Sequence, residues 1–259
     1  MLLIHGGGFD TAAISWFELI ADLGTQRPVW APDLPGFGGS RAVPVLGSAA
    51  DIADQLAALL TQLPSTDKVI VCGVSMGGEV ALQFGLRHPD RTEAIVAIAP
   101  GGLIGRFGGP VMHWLTWLMT RLPDVGMNLV ARGSAYRAER TLCKVVRRPL
   151  PQVVIDEWVA EAQRPGAGVA YGAYNRNNFL PRRMTNNLLP YLTRLTPPTL
   201  FFHGQDDPIV PIQGSVTAAS LVPDGRIVQV PHCGHWAHLE CPDAFLTTWR
   251  EFIDHELRA

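Results

Sequence analysis

Nowhere in the 259 residues do about 18 apolar side chains follow one another, and the first residues carry neither the basic stretch nor the apolar core of a secretory leader. These absences predict a soluble, cytoplasmic protein without a membrane partner. Excess positive charge is missing too. Twenty-one Lys and Arg stand against 23 Asp and Glu, a formal charge of −2, so no global field is available to hold nucleic acid by counterion release. Cysteine is scarce: Cys72, Cys143, Cys233 and Cys241 show no C-x-x-C spacing and are too few for a disulfide framework. They read as reduced packing residues. Neither G-x-x-x-x-G-K nor G-x-G-x-x-G is present to cradle phosphate, and no cofactor is expected.

With 47% hydrophobic and 17% charged residues, the chain is neither disordered nor collagen-like and has enough apolar side chains for one cored domain. Short β-branched runs at 1–4, 29–31, 69–72, 94–98, 199–202 and 227–230 alternate with amphipathic stretches around 14–24, 49–62, 76–88, 214–221 and 241–257. Buried parallel strands linked by crossover helices have this pattern, which predicts a doubly wound α/β sheet covered on both faces. The alternation stops between Ala99 and Pro198. Helical segments with Trp114, Trp117 and Trp158 but no clear strand fill residues 103–190, which are expected to form a helical cap inserted into a core made of 1–102 and 191–259. That insert holds 12 basic against five acidic residues, a net of +7, leaving −9 on the remainder. Such asymmetry would draw an anionic substrate toward the cap, or would simply dock a basic helix surface on an acidic body. The chain opens in a strand that runs straight into His5-Gly6-Gly7-Gly8. The sheet is therefore expected to lack initial strands and to leave 29–31 at an exposed edge.

The strand at 69–72 leads into Gly73-Val74-Ser75-Met76-Gly77-Gly78, followed by a helical pattern. G-x-S-x-G needs this context. A sharp strand-to-helix turn forces the serine into strained backbone, and the flanking glycines let neighbouring chain pass without a Cβ clash. A serine hydroxyl attacks at neutral pH only if an imidazole takes its proton, and that imidazole needs a carboxylate to fix its tautomer. Carboxylates follow the post-cap strand in His203-Gly204-Gln205-Asp206-Asp207-Pro208, and imidazoles follow the last strand in Pro231-His232-Cys233-Gly234-His235-Trp236. Both segments fall at the carboxyl edge of the sheet, where ligands bind in open α/β folds. A metal site made of His232, His235 and His238 is not favoured, because Pro231, Gly234 and Pro242 make the segment a loop with no completing acid cluster. Pro32-Asp33-Leu34-Pro35-Gly36 is read as architectural, with Asp33 tying down nearby amides.

On these motifs the chain resembles α/β-hydrolase-fold serine hydrolases over nearly its whole length, with a weaker match in the cap. The resemblance implies Ser75 as nucleophile, Asp207 as the acid with Asp206 as fallback, and His235 as base, leaving His232 and His238 as surface or supporting residues. It also implies an oxyanion hole formed by the Gly7 and Met76 amides. Gly6, Gly8 and Trp236 are expected to border the substrate, and no metal is implied. Cys233-Gly234-His235-Trp236-Ala237-His238 and Ser75-Met76-Gly77-Gly78 are similar to segments of meta-cleavage-product hydrolases, which cut a carbon–carbon bond in 2-hydroxy-6-oxo-dienoates. There an arginine from the cap holds the substrate's acid end, a role that would fall to Arg164 in Gln163-Arg164-Pro165. The alternative makes Arg164 a helix-end residue capping carbonyls. Val74 ahead of the serine and Gly8-Phe9-Asp10 after the glycines depart from that subfamily. The first expectation is therefore hydrolysis of a carboxylic ester or related acyl compound through an acyl-enzyme. Carbon–carbon cleavage comes next, followed by a receptor of the same fold without turnover, and perhydrolase chemistry remains open. The partner is a small, partly apolar and potentially anionic molecule, and a homo-oligomer is allowed.

Overall fold

The structure, a computed structural model, describes residues 1–25, 27–63, 68–123, 126, 130 and 133–256. Its centre is a parallel sheet of β1 (Leu2–Ile4), β2 (Val69–Val74), β3 (Thr92–Ile98), β4 (Thr199–Gly204) and β5 (Gly225–Val230), in that spatial order. Because strand side chains alternate between faces, each strand feeds two cores. Leu2, Ile4, Val69, Val71, Ile95, Ala97 and Phe201 face one, and Leu3, Ile70, Cys72, Ala94, Val96, Leu200 and Phe202 the other. The helices α3 (Ala49–Leu60), α4 (Met76–Arg87) and α9 (Ile212–Leu221) cover the first face. The second is covered by α1 (Ala12–Trp16), α2 (Leu19–Leu23) and α11 (Pro242–Glu256). Local capping supports this arrangement. Thr11 accepts from the Ile14 amide ahead of α1, and Ser48 accepts from the Asp51 amide ahead of α3.

Between β3 and β4 run α5 (Pro110–Thr120), α6 (Ala138–Val145), α7 (Gln152–Ala162) and α8 (Val169–Asn178). They occupy the strandless stretch of the sequence, of which 124–125, 127–129 and 131–132 lie outside the described residues. The chain is completed by α10 (Ala237–Glu240), between β5 and α11. The expected helix over 14–24 is broken at Phe17 into α1 and α2, and residue 257 of the last expected helix lies outside the described residues.

The expected strand at 29–31 is corrected to a single bridge. Trp30 pairs with Leu2, its N–H donating to Met1 O (2.9 Å) and its carbonyl accepting from Leu3 N (2.8 Å). The next amides that would face β1 on either side belong to Pro28 and Pro32, which have no N–H, so the ladder stops after one residue. Trp30 nevertheless gives the winding its direction. From β1 the chain goes outward to Trp30 and then crosses back to β2, so the winding reverses between β1 and β2. Crevices that receive ligands open at such a reversal, beyond the strands' carboxyl ends.

The aromatic core makes a stability prediction. Phe202 is fully buried with its ring edge-on to Phe245 at 5.3 Å. Urea unfolding of Phe202→Ala is expected to show a loss of about 3–5 kcal/mol, whereas Val111→Ala on an exposed face stays within about 0.5 kcal/mol of the parent.

Candidate active site

The carboxyl end of β2 turns into α4 at Ser75, whose φ of 55° and ψ of −117° place a non-glycine residue in a strained region. Its N–H donates to Ile98 O (2.8 Å), and its carbonyl accepts from Gly101 N (2.8 Å) and Glu79 N (3.1 Å). The glycines of the motif are required by contact. A Cβ on Gly73 would lie 2.1 Å from Gly77 O, and one on Gly77 would lie 2.4 Å from both Ile4 O and His5 O. The turn is thus wedged against the end of β1.

The Asp207 side chain is fully buried, and its Oδ2 lies 2.7 Å from His235 Nδ1. Its Oδ1 accepts from the Ile209 (2.7 Å) and Val210 (3.0 Å) amides. A second imidazole, unforeseen from the sequence, meets the same carboxylate. His203 Nε2 faces two groups that can only accept, Asp207 Oδ2 and Val210 O at 3.1 Å each, so it carries a proton, and Nδ1 lies 2.8 Å from the Ser215 hydroxyl. Burial pushes the Asp207 pKa up, but the charge of His235, the two imidazole hydrogen bonds and the Val210 amide outweigh it and hold the carboxyl well below the usual carboxylate range. Asp206, the fallback, is exposed, with its carboxylate 3.9 Å from the exposed His232. The three loop histidines do not converge. His232 faces solvent, His235 meets Asp207, and buried His238 donates from Nε2 to Ser15 O (3.2 Å).

The loop after β1 lies opposite. Asp10 accepts from Gly6 N (2.6 Å), Thr11 N (2.9 Å) and the Ser15 hydroxyl (2.6 Å). Among the described residues, the Gly7 and Met76 amides have no protein acceptor. Gly6, Gly7, Gly8, Ser75, His235 and Trp236 border one cavity of about 200 Å³, closed by Thr141, Leu142 and Val145 of α6, Trp158 of α7, Tyr171 of α8, and Ile209. Of the three expected tryptophans only Trp158 is there, edge-on to Trp236 at 5.1 Å. Trp114 is exposed on α5, and Trp117 does not reach the cavity. Arg164 is not brought to the cavity either. Half exposed, its side chain pairs with the Glu161 carboxylate (3.3 Å), whose other oxygen takes Arg41, rather than with last-turn carbonyls, and only its backbone amide donates to Glu161 O. Asp33 accepts from Ala12 N (2.9 Å) and Gly39 N (2.7 Å), as its architectural reading expected. Three cysteines are buried, whereas Cys143 is exposed, contrary to its packing reading.

Two buried carboxylates escaped the sequence reading. Glu240 Oε2 accepts from the amides of Arg147 (2.6 Å), Gly234 (2.9 Å) and Arg148 (3.0 Å), and Oε1 from Trp236 (3.1 Å), so it grips the base loop on both sides of His235. Glu79 lies one turn after Ser75. Its Oε2 accepts from the Tyr174 hydroxyl and from Asn186 Nδ2 (2.6 Å), and Tyr174 stacks on Tyr171 at 5.8 Å. The Tyr171 ring in turn lies over Gly7, where an added Cβ would come within 2.3 Å of it.

A parallel sheet wound in both directions, presenting a serine on a positive-φ turn beside its point of reversal, is the architecture of α/β hydrolases. The sequence profile for the alpha/beta hydrolase fold matches residues 1–242, and the chain belongs to that family. It is 28% identical over 269 residues to the 2-hydroxy-6-oxo-6-phenylhexa-2,4-dienoate hydrolase of Burkholderia cepacia, covering 98% of this chain and 87% of that protein. It is 25% identical over 248 residues to the pimeloyl acyl-carrier-protein methyl ester esterase of Nitrosomonas europaea, covering 95% and 92%. The solved meta-cleavage product hydrolase from Pseudomonas fluorescens IP01 superposes with a TM-score of 0.77 at 22% identity, over 98% of this chain and 90% of that one, a likeness of fold.

Glu79 carries a pH prediction. Burial raises its pKa from 4.5 to about 7 against the opposing hydrogen bonds of Tyr174 and Asn186. Between these values the folded state holds a proton that the unfolded chain has lost, so stability falls as pH rises from about 4.5 and the penalty levels off above about 7. Relative to Glu79→Gln, the parent is expected to lose on the order of 3 kcal/mol between pH 5 and pH 8. His238, lowered to about 3 first by burial, titrates in both proteins and cancels. Urea titrations at the two pH values measure the difference, and a constant gap would refute the assignment.

Proposed function

We propose that the protein is a serine hydrolase that cleaves a carboxylic ester or related acyl compound with a small, apolar acyl part. The observation that carries this reading is the 2.7 Å contact between His235 and the buried Asp207 beside a cavity that also holds Ser75. His235 Nδ1–H donates to Asp207, which leaves Nε2 to take the Ser75 proton as Oγ attacks the substrate carbonyl. The Gly7 and Met76 amides hold the developing oxyanion, and each such donor is worth about 2.7–4 kcal/mol in other hydrolases. Asp207 stabilises the imidazolium, which then protonates the leaving group. His235 next activates water to release the acyl group. Residues 103–190 serve as the cap that closes this cavity with α6, α7 and α8.

The lining favours an ester over a dienoate. No lysine or arginine among the described residues borders the cavity, and Arg164 is occupied by Glu161, so none of the described guanidinium groups is placed to receive a substrate carboxylate. Carbon–carbon cleavage is kept as the second reading because of the similarity to the Burkholderia dienoate hydrolase.

Steady-state turnover of p-nitrophenyl acetate through octanoate, set beside 2-hydroxy-6-oxo-hexadienoate analogues, tests both readings. Ester hydrolysis is expected to dominate and to fall by about 10⁴-fold or more in Ser75→Ala. Dienoate preference would reverse the order of the two readings. A folded protein inactive on both and unlabelled by a fluorophosphonate at Ser75 would defeat them together. Asp207→Asn, which favours the wrong imidazole tautomer, is expected to lower kcat by about 10⁴-fold at unchanged fold, read by circular dichroism.

A further inference from the structure

The helix α5 buries only His113 and Thr120. His113 accepts from Phe107 N (3.2 Å), donates to Leu180 O (2.8 Å) and stacks on Phe179, so this side of the helix faces the 179–180 segment. The opposite side is apolar and open. Val111, Met112, Trp114, Leu115, Leu118 and Met119 are exposed, together with Leu122 just beyond, from 37% at Leu122 to 72% at Val111. A contiguous apolar face of this kind marks an interaction site.

Its surroundings carry charge of one sign. Arg106 Nε donates to Arg182 O (3.1 Å) and Met184 N to Gly105 O (2.8 Å), which sets the exposed Arg106, Arg182 and Arg183 at the amino end of α5, where the helix dipole is also positive. Arg121 follows the carboxyl end, its guanidinium donating to Phe179 O (2.8 Å). No Asp or Glu occurs from residue 103 to 123 or between Glu161 and Asp206. None of these four arginines forms an ion pair with a carboxylate among the described residues.

We infer that the outer face of α5 docks on an anionic phospholipid surface, with the Trp114, Leu115, Leu118 and Met119 side chains entering the headgroup boundary and the arginine rim pairing with lipid phosphates. Apolar side chains with a tryptophan on one face and cations around it are what interfacial helices require. A second copy of the chain fits less well. In an antiparallel two-fold contact through α5, Arg106, Arg182 and Arg183 of one copy would meet Arg121 of the other, like charges in a desolvated rim. Among the described residues no helix is long and apolar enough to cross a membrane. The sequence expectation of no membrane partner rested on the missing span, and surface docking needs none.

Sedimentation of the full chain with phosphatidylcholine vesicles, and with vesicles rich in phosphatidylglycerol, tests this at low and high salt. The expected result is cosedimentation with the anionic vesicles only, weakened by salt, and a blue shift of tryptophan emission that disappears in Trp114→Phe. Leu115→Glu/Met119→Glu and, separately, Arg182→Glu/Arg183→Glu are expected to weaken partition at least tenfold. All these residues are exposed, so thermal unfolding and hydrolysis of a soluble ester should stay at the parent level. Absence of vesicle binding, equal binding to both compositions, or a concentration-dependent dimer lost in Leu115→Glu/Met119→Glu without vesicle binding would each overturn the inference. Because the readout is partition, failure here is distinguishable from failure of the proposed chemistry.

Discussion

The positive-φ turn at Ser75 is the constraint on which the rest of the structure depends. A residue held there costs on the order of 1–3 kcal/mol, so the surroundings must leave it no alternative. Strands on both sides meet that demand. The end of β1 presses on Gly77, while Ile98 and Gly101, at and beyond the end of β3, bind the serine's own amide and carbonyl. The core flanking β2 therefore does more than stabilise the fold, because it locks one side chain at the mouth of the cavity.

Buried carboxylates fix the loops around that mouth. Asp10 holds the loop after β1, Asp207 and its two imidazoles the loop after β4, and Glu240 the loop after β5. Each accepts backbone N–H groups, which compensates burial of a charged or polar group better than an apolar neighbour does. Glu79, whose pKa burial raises as it raises that of Asp10, accepts instead from a hydroxyl and an amide side chain. Through Tyr174 and Tyr171 it ties the first turn of α4 to the helix lying over Gly7, so the core and the strandless segment meet at a titratable contact.

Local features were legible in the sequence. Five of the six expected strands, the glycine pattern around Ser75 and the loops bearing Asp207 and His235 are each set by a few adjacent residues whose steric or hydrogen-bonding demands do not depend on distant chain. The failures share the opposite property. Trp30 stops at one bridge because two prolines coincide with the pairing side of its segment, a question of register rather than composition. Glu79 bonds Tyr174 and Asn186, 95 and 107 residues away, and Glu240 bonds Arg147 and Arg148, 93 and 92 residues away. Nothing near either glutamate announces such partners. Glu240 did stand five residues after His235, and a buried acid beside a predicted base loop is a signal that could have been weighed.

Charge within 103–190 illustrates the difference between composition and placement. A net of +7 in that segment suggested attraction of an anionic substrate, yet the cavity wall is built from Leu142, Val145, Trp158 and Tyr171, with the glycines beneath. The cations lie elsewhere. Arg164 is neutralised by Glu161 at the surface, and Arg148 reaches the carbonyls of Pro231 and His232. Arg106 and Arg121 donate to the backbone carbonyls of Arg182 and Phe179 around the apolar helix α5. The described cavity lining thus offers shape and apolar contact, while Arg106, Arg121, Arg182 and Arg183 of the same segment are exposed around the apolar face of α5. The same region is also tied to the nucleophile turn, because Gly101 donates to the Ser75 carbonyl and Tyr174 and Asn186 hold Glu79, whose amide donates to that carbonyl as well, so a change between β3 and β4 is felt at Ser75.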